Sequence, residues 1–302
     1  MPPYPPDTCR RRKLCRIWVV AVVCLAAVCF WVGFSYWQET RFPARTVELT
    51  RLPVELRVQD GVQRRDLSAV TRGLRLADRY MRSQLHRTVR HGVEARIAHR
   101  SGCRPFESSS SDSVGEADPG FLCIATRNLH WQWLVRKDRP AAIAVSAHEY
   151  VHVLQSELGC LDDGTPPRFR WLVEGMAEEI AWRALISSGL VSNARVVRTI
   201  RADALPAYGL IGRGLYPLAA YEHADGADRE YALWHLAVRR LLRAAVDEGA
   251  APPAHPAISL RRFCERVGAG TEWRNAFERS FGLRVGRFYR EFERFRARAG
   301  RS

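Results

Sequence analysis

The run His148-Glu149-Tyr150-Val151-His152 constrains this chain more than any other feature. It lies in an apolar stretch with helical spacing, and residues four apart on a helix share a face. Both imidazoles can therefore reach one zinc ion from a rigid element. Glu149, one position along, carries a carboxylate that can act on water at such an ion. A zinc site of this kind takes three protein ligands and leaves the fourth position to water. The fold must therefore bring a third donor to this helix.

A second helical segment, Trp171-Leu172-Val173-Glu174-Gly175-Met176-Ala177-Glu178-Glu179, follows a turn-rich loop from Gly159 to Arg168. A helix-loop-helix hairpin would return Glu174 to the two histidines as third ligand. Glu178 lies one turn further on the same face. It can accept a hydrogen bond from the outer nitrogen of a metal-bound histidine. The plain alternative is an amphipathic helix with solvated acids.

These residues resemble the gluzincin class of zinc metallopeptidases, which contains thermolysin and the aminopeptidase N-like enzymes. They are most similar to bacterial "peptidase MA-like" domains, which pair H-E-x-x-H with W-L-x-E-G-x-A-E, here Trp171 to Glu178. The resemblance spans about residues 48–298. It implies that His148, His152 and Glu174 bind one zinc ion, that Glu149 is the general base, and that a peptide or protein is the substrate. It also implies an α+β, thermolysin-like two-lobed catalytic domain, with a small N-terminal sheet lobe and a helical C-terminal lobe. Aminopeptidase-like members begin a later helix with an oxyanion-stabilising tyrosine, and Tyr231 matches it in position and context. For Tyr231 the other reading is a core tyrosine at a helix start. His235, one turn on, is a second candidate, with a core histidine as the favoured reading. The gap from His152 to Glu174 is a few residues longer than in aminopeptidases, and the excess falls in the loop at 162–167. The chain has no G-x-M-E-N stretch, with which aminopeptidases hold a free amino end. That points to endopeptidase-type cleavage or an unusual substrate.

Ile17 to Trp37 is an almost uninterrupted apolar run, and about 20 such residues span a bilayer. Arg10, Arg11, Arg12, Lys13 and Arg16 precede it, so the positive-inside rule keeps the N-terminus in the cytoplasm. A cleaved signal peptide is the rival, but the run is long for one, ends without a small-residue cleavage site, and carries Trp31, Tyr36 and Trp37 at one end. Cys24 and Cys29 each follow valine, which argues against a lipoprotein. The expected layout is a cytoplasmic tail at 1–16, a transmembrane signal-anchor at 17–37, a linker at 38–47 and a catalytic domain at 48–302 outside the cell membrane. Oligomeric state is not legible.

The formal net charge is +15, nearly all from arginine, with Lys13 and Lys137 the only lysines. The arginines are spread along the chain and interleaved with acids, and no nucleic-acid motif accompanies them, so compositional bias is preferred over nucleic-acid binding. Eight cysteines divide evenly. Cys103, Cys123, Cys160 and Cys264 lie in the outer domain, where disulfides Cys103–Cys123 and Cys160–Cys264 stand against four free buried thiols. No C-x-x-C occurs, so a cysteine zinc site is not expected.

Alternation predicts strands over 54–58 and 93–98, and a buried strand over 121–126. Helical spacing runs over 66–89. The segment 101–120 reads as an exposed loop. In the resembled fold an edge strand before the zinc helix pairs with extended substrate, and 121–126 or 129–134 is the expected candidate. The zinc helix should start at Asp138 with Pro140 in its first turn and stop at Gly159. Helices follow over 171–187, 229–248, 259–267, 272–281 and 285–298. A catalytically inactive, zinc-binding anchored protein remains the alternative to a peptidase.

Overall fold

Alternation of buried and exposed side chains sets the sheet. In β2 (Val54–Gln59), Val54, Leu56 and Val58 are buried while Glu55 and Arg57 face water, and β3 (Val93–Ala98) buries Val93, Ala95 and Ile97 in the same way. With β1 (Ala44–Glu48), β4 (Gly115–Asp118) and β5 (Phe121–Ala125) they form one mixed sheet in the order β1-β2-β3-β5-β4. β2, β3 and β5 run parallel, with Leu56 opposite Ala95 and Ala95 opposite Leu122, and β4 is antiparallel to β5. The structure is a computed structural model. It describes residues 24–31, 44–99, 114–161, 168–205, 216–222 and 228–299.

The helices follow as α1 (residues 24–31), α2 (Arg64–Tyr80, continued by a π-helical turn Met81–Leu85), α3 (Leu129–Lys137), α4 (Arg139–Glu157) and α5 (Arg170–Ser187). Then come α6 (Asn193–Ala204), α7 (Asp228–Asp247), α8 (Ile258–Gly268), α9 (Trp273–Phe281) and α10 (Val285–Ala299). α4 packs on α2, α5 and the sheet, and thirteen consecutive or nearly consecutive residues from Ala142 to Gln155 are buried. A helix buried on every side is the core of its domain, which makes it a rigid platform. Asp138 caps α4 by accepting from the Ala141 backbone N–H at 3.4 Å, and Pro140 follows in the first turn, as expected. Gly159 ends the helix with φ +82°, a conformation that only glycine adopts without strain. The expected α+β architecture, a small sheet with a helical lobe, is present.

Several local expectations change. The segment read as an exposed loop contains β4, the edge strand, whose four residues are too short and polar to alternate visibly; pairing with β5 makes them a strand. Residues 129–134 are helical in α3, because Asn128 caps the His130 and Trp131 backbone N–H groups. Phe121–Ala125 is interior, between β3 and β4, and so is not an edge. α6 is added, with Ser192 as its cap and Val196, Ile200 and Ala204 buried one turn apart. The sheet also begins inside the segment read as a linker, since β1 covers Ala44–Glu48.

Most of the expected transmembrane run at 17–37 lies outside the described residues, where only α1 at 24–31 is seen. No described helix is long and apolar enough to cross a membrane. Cys160 and Cys264 are joined by a disulfide that ties the end of α4 to α8. Cys123 is disulfide-bonded as well, and its expected partner Cys103 lies outside the described residues.

Candidate metal centre

Helical repeat puts His148 and His152 on one face of α4, and both are buried. Their Nε2 atoms stand 2.9 Å apart. From α5, Glu174 Oε2 comes within 3.2 Å of His152 Nε2 and 3.3 Å of His148 Nε2. A tetrahedral ion with bonds of about 2.0–2.1 Å needs donors separated by about 3.3 Å. The three side chains can therefore hold one metal ion.

The hydrogen bonds around the histidines make the case stronger. His152 Nδ1 is 2.6 Å from Gln155 Oε1, while Gln155 Nε2 donates to the Val173 carbonyl at 2.8 Å. An amide oxygen can only accept, so the His152 proton sits on Nδ1 and leaves Nε2 as a lone pair. His148 Nδ1 lies 3.1 Å from Glu178 Oε1, close enough for a charge contact although not aligned as a hydrogen bond. A carboxylate also only accepts, and it favours a proton on Nδ1 of His148 too. Two imidazole lone pairs and a carboxylate oxygen then face one another across about 3 Å, which is stable only around a cation. These residues fit a zinc ion. In its absence a proton takes its place: burial opposes charge on His148, but Glu174 and Glu178 outweigh it and hold the imidazole's pKa well above its usual value.

Glu149 is buried and lies against β4. Burial raises its pKa, and the neighbouring histidines offset part of the rise. The edge strand passes directly over it: a Cβ at Gly115 would lie 2.6 Å from Glu149 Oε1. Tyr231, at the start of α7, has its ring 6.0 Å from that of His148 and packs on Trp234 at 5.1 Å. Burial pushes its hydroxyl pKa far up, so the group stays protonated and able to donate; Arg170 lies against it and opposes the rise. Arg170 Nε is also 3.7 Å from Glu174 Oε1, the carboxylate oxygen turned away from the histidines.

All six residues singled out from the sequence, His148, Glu149, His152, Glu174, Glu178 and Tyr231, are thus gathered around one point. His235 is not among them. It is buried with Nε2 2.8 Å from Glu179 Oε2, in line with the core-histidine reading. Sequence reasoning missed Gln155 and Gly115. Gln155 had a legible signal, a lone amide three residues after His152 in an apolar run. Gly115 had none, because its role depends on β4 crossing α4.

No family model matches the sequence, and no curated protein matches it. Among solved structures the chain is similar to the crystal structure of an aminopeptidase N family protein from Idiomarina loihiensis, with a TM-score of 0.56 and 13% identity. The match covers 82% of this chain and 46% of that one, so this chain spans about half the length of the protein it resembles. At this identity the likeness is one of fold: a small mixed sheet with a helical lobe.

Proposed function

We propose that this chain is a membrane-anchored zinc peptidase that cleaves peptide bonds internally. The observation that carries the reading is the convergence of three lone-pair donors, His148, His152 and Glu174, beside a buried Glu149. When bound, zinc supplies Lewis acidity for the scissile carbonyl and lowers the pKa of water. Glu149 takes the proton from the attacking water and returns it to the leaving nitrogen. Tyr231 donates to the developing oxyanion. Glu178 orients His148, and Gln155 orients His152. β4 ends the sheet among the described residues and lies over Glu149, which supports placing an extended peptide alongside it.

The apolar run at 17–37 and the basic residues before it support a signal-anchor with the N-terminus in the cytoplasm and the domain outside. The Cys160–Cys264 disulfide supports an oxidising compartment for that domain. The test is metal content and peptide hydrolysis, measured on wild type and on Glu149→Gln and Glu174→Ala. Glu149→Gln should keep zinc and lose hydrolysis, while Glu174→Ala should weaken zinc binding. Hydrolysis that persists in Glu149→Gln rules the mechanism out, and zinc without hydrolysis in wild type favours the inactive alternative.

A further inference from the structure

Behind the metal site, a chain of buried and half-buried charged groups runs from Glu178 to groups that the proposed chemistry does not use. Glu178 turns Oε1 to His148 Nδ1 at 3.1 Å and accepts from Trp182 Nε1 on Oε2 at 2.9 Å. His235, on α7, reaches back with Nδ1 3.9 Å from Glu178 Oε2 and Nε2 2.8 Å from Glu179 Oε2. Glu179 also accepts from Arg183 Nε at 2.6 Å and from Arg239 Nη1 at 3.3 Å, and Arg239 Nη2 donates to Asn193 Oδ1 at 2.8 Å. Glu179 and His235 are each 1% exposed.

Burying the Glu179 carboxylate and the Arg239 guanidinium beside the half-buried Glu178 is costly unless every group is paired, and apolar packing would stabilise the same helix contact at least as well. A buried network kept in such a place is suited to fixing geometry. Its near end is the partner of a metal ligand. Its far end anchors to α7 and, through Arg239, to the first residue of α6. The imidazole of His235 spans the adjacent acids, with one nitrogen facing each. Without it, Glu178 would keep the Trp182 bond on its own helix but lose this contact from α7.

We infer that His235 is a positioning residue for the metal centre, holding the Glu178 carboxylate against His148 and so setting metal affinity from α7. The inference rests on the metal-site reading above. Partners of this kind alter metal affinity by about 10- to 100-fold when removed.

The experiment is zinc affinity by chelator competition on the full chain, comparing wild type, His235→Leu, Glu178→Gln and the double variant, with folding checked by near-UV circular dichroism. His235→Leu should weaken zinc binding about tenfold or more. The double variant should bind no more weakly than Glu178→Gln alone, because both changes release the same carboxylate. If His235→Leu fails to fold, His235→Gln, which keeps an N–H for Glu179, completes the same cycle and should show a smaller loss with the same non-additivity. A folded variant that binds zinc as wild type does, or losses that multiply in the double variant, overturns the inference while leaving the metal site intact. A wild type that binds no zinc overturns the site reading and this inference with it. A purely structural histidine would lower the melting temperature without changing the affinity of the folded protein.

Discussion

Gly115 lies against the Glu149 carboxylate so closely that a single added carbon would stand 2.6 Å from Oε1 and 2.7 Å from Cδ. The missing side chain of one strand residue is the space in which the proposed general base sits. Gly115→Ala should therefore displace Glu149 and slow hydrolysis by roughly 10²-fold, the order of loss expected for about 1 Å of misplacement. Zinc content should be unchanged, since the atoms nearest the added carbon belong to Glu149. Activity within a few-fold of wild type would mean that Glu149 can shift without consequence.

The Tyr231 hydroxyl is held protonated by burial beside His148. Tyr231→Phe should lower kcat by about 10²-fold or more, roughly 3 kcal/mol of barrier, with zinc affinity preserved. An unchanged kcat would return Tyr231 to the role of a core aromatic packed on Trp234.

Protons and zinc compete for His148. In the metal-free protein its pKa stands well above the ordinary 6.5, because Glu174 and Glu178 outweigh burial. Zinc affinity should rise with pH below that raised value, by up to about tenfold per unit for one released proton, and level off above it. The stability linkage has the opposite sign. For a raised pKa, the stabilisation of the metal-free protein is complete below about pH 6.5 and lost as pH climbs through the folded value. Zinc titrations and urea melts at several pH values with and without chelator would check both slopes; a flat affinity profile contradicts the first.

The Cys160–Cys264 bond joins residues 104 apart in sequence and tethers the end of α4 to α8. Its reduction, or Cys264→Ser, should cost about 2–5 kcal/mol and lower the melting temperature. Thermal melts with and without reductant would show it, and equal melts would mean that the tether adds little.

The spacing within α4 was enough to place two candidate metal ligands and Glu149 together. His148, His152 and Glu149 occupy fixed angles on one helix, and that local geometry holds wherever the helix goes. Asp138, Pro140 and Gly159 marked its ends by the same local logic. The sequence also exposed a candidate in Glu174, but whether α5 returned it to the histidines depended on how two helices pack.

Tertiary structure alone decided the rest. The polar run Gly115–Asp118 has little strand signal of its own and becomes an edge strand because β5 lies beside it. Gly115 gains meaning only because that strand crosses Glu149. The sequence favours a core histidine at His235, but its partner Glu179 emerges only from how α7 packs on α5. Periodicity within an element is written in consecutive residues, whereas contacts between elements depend on rotations and crossings that no short stretch encodes.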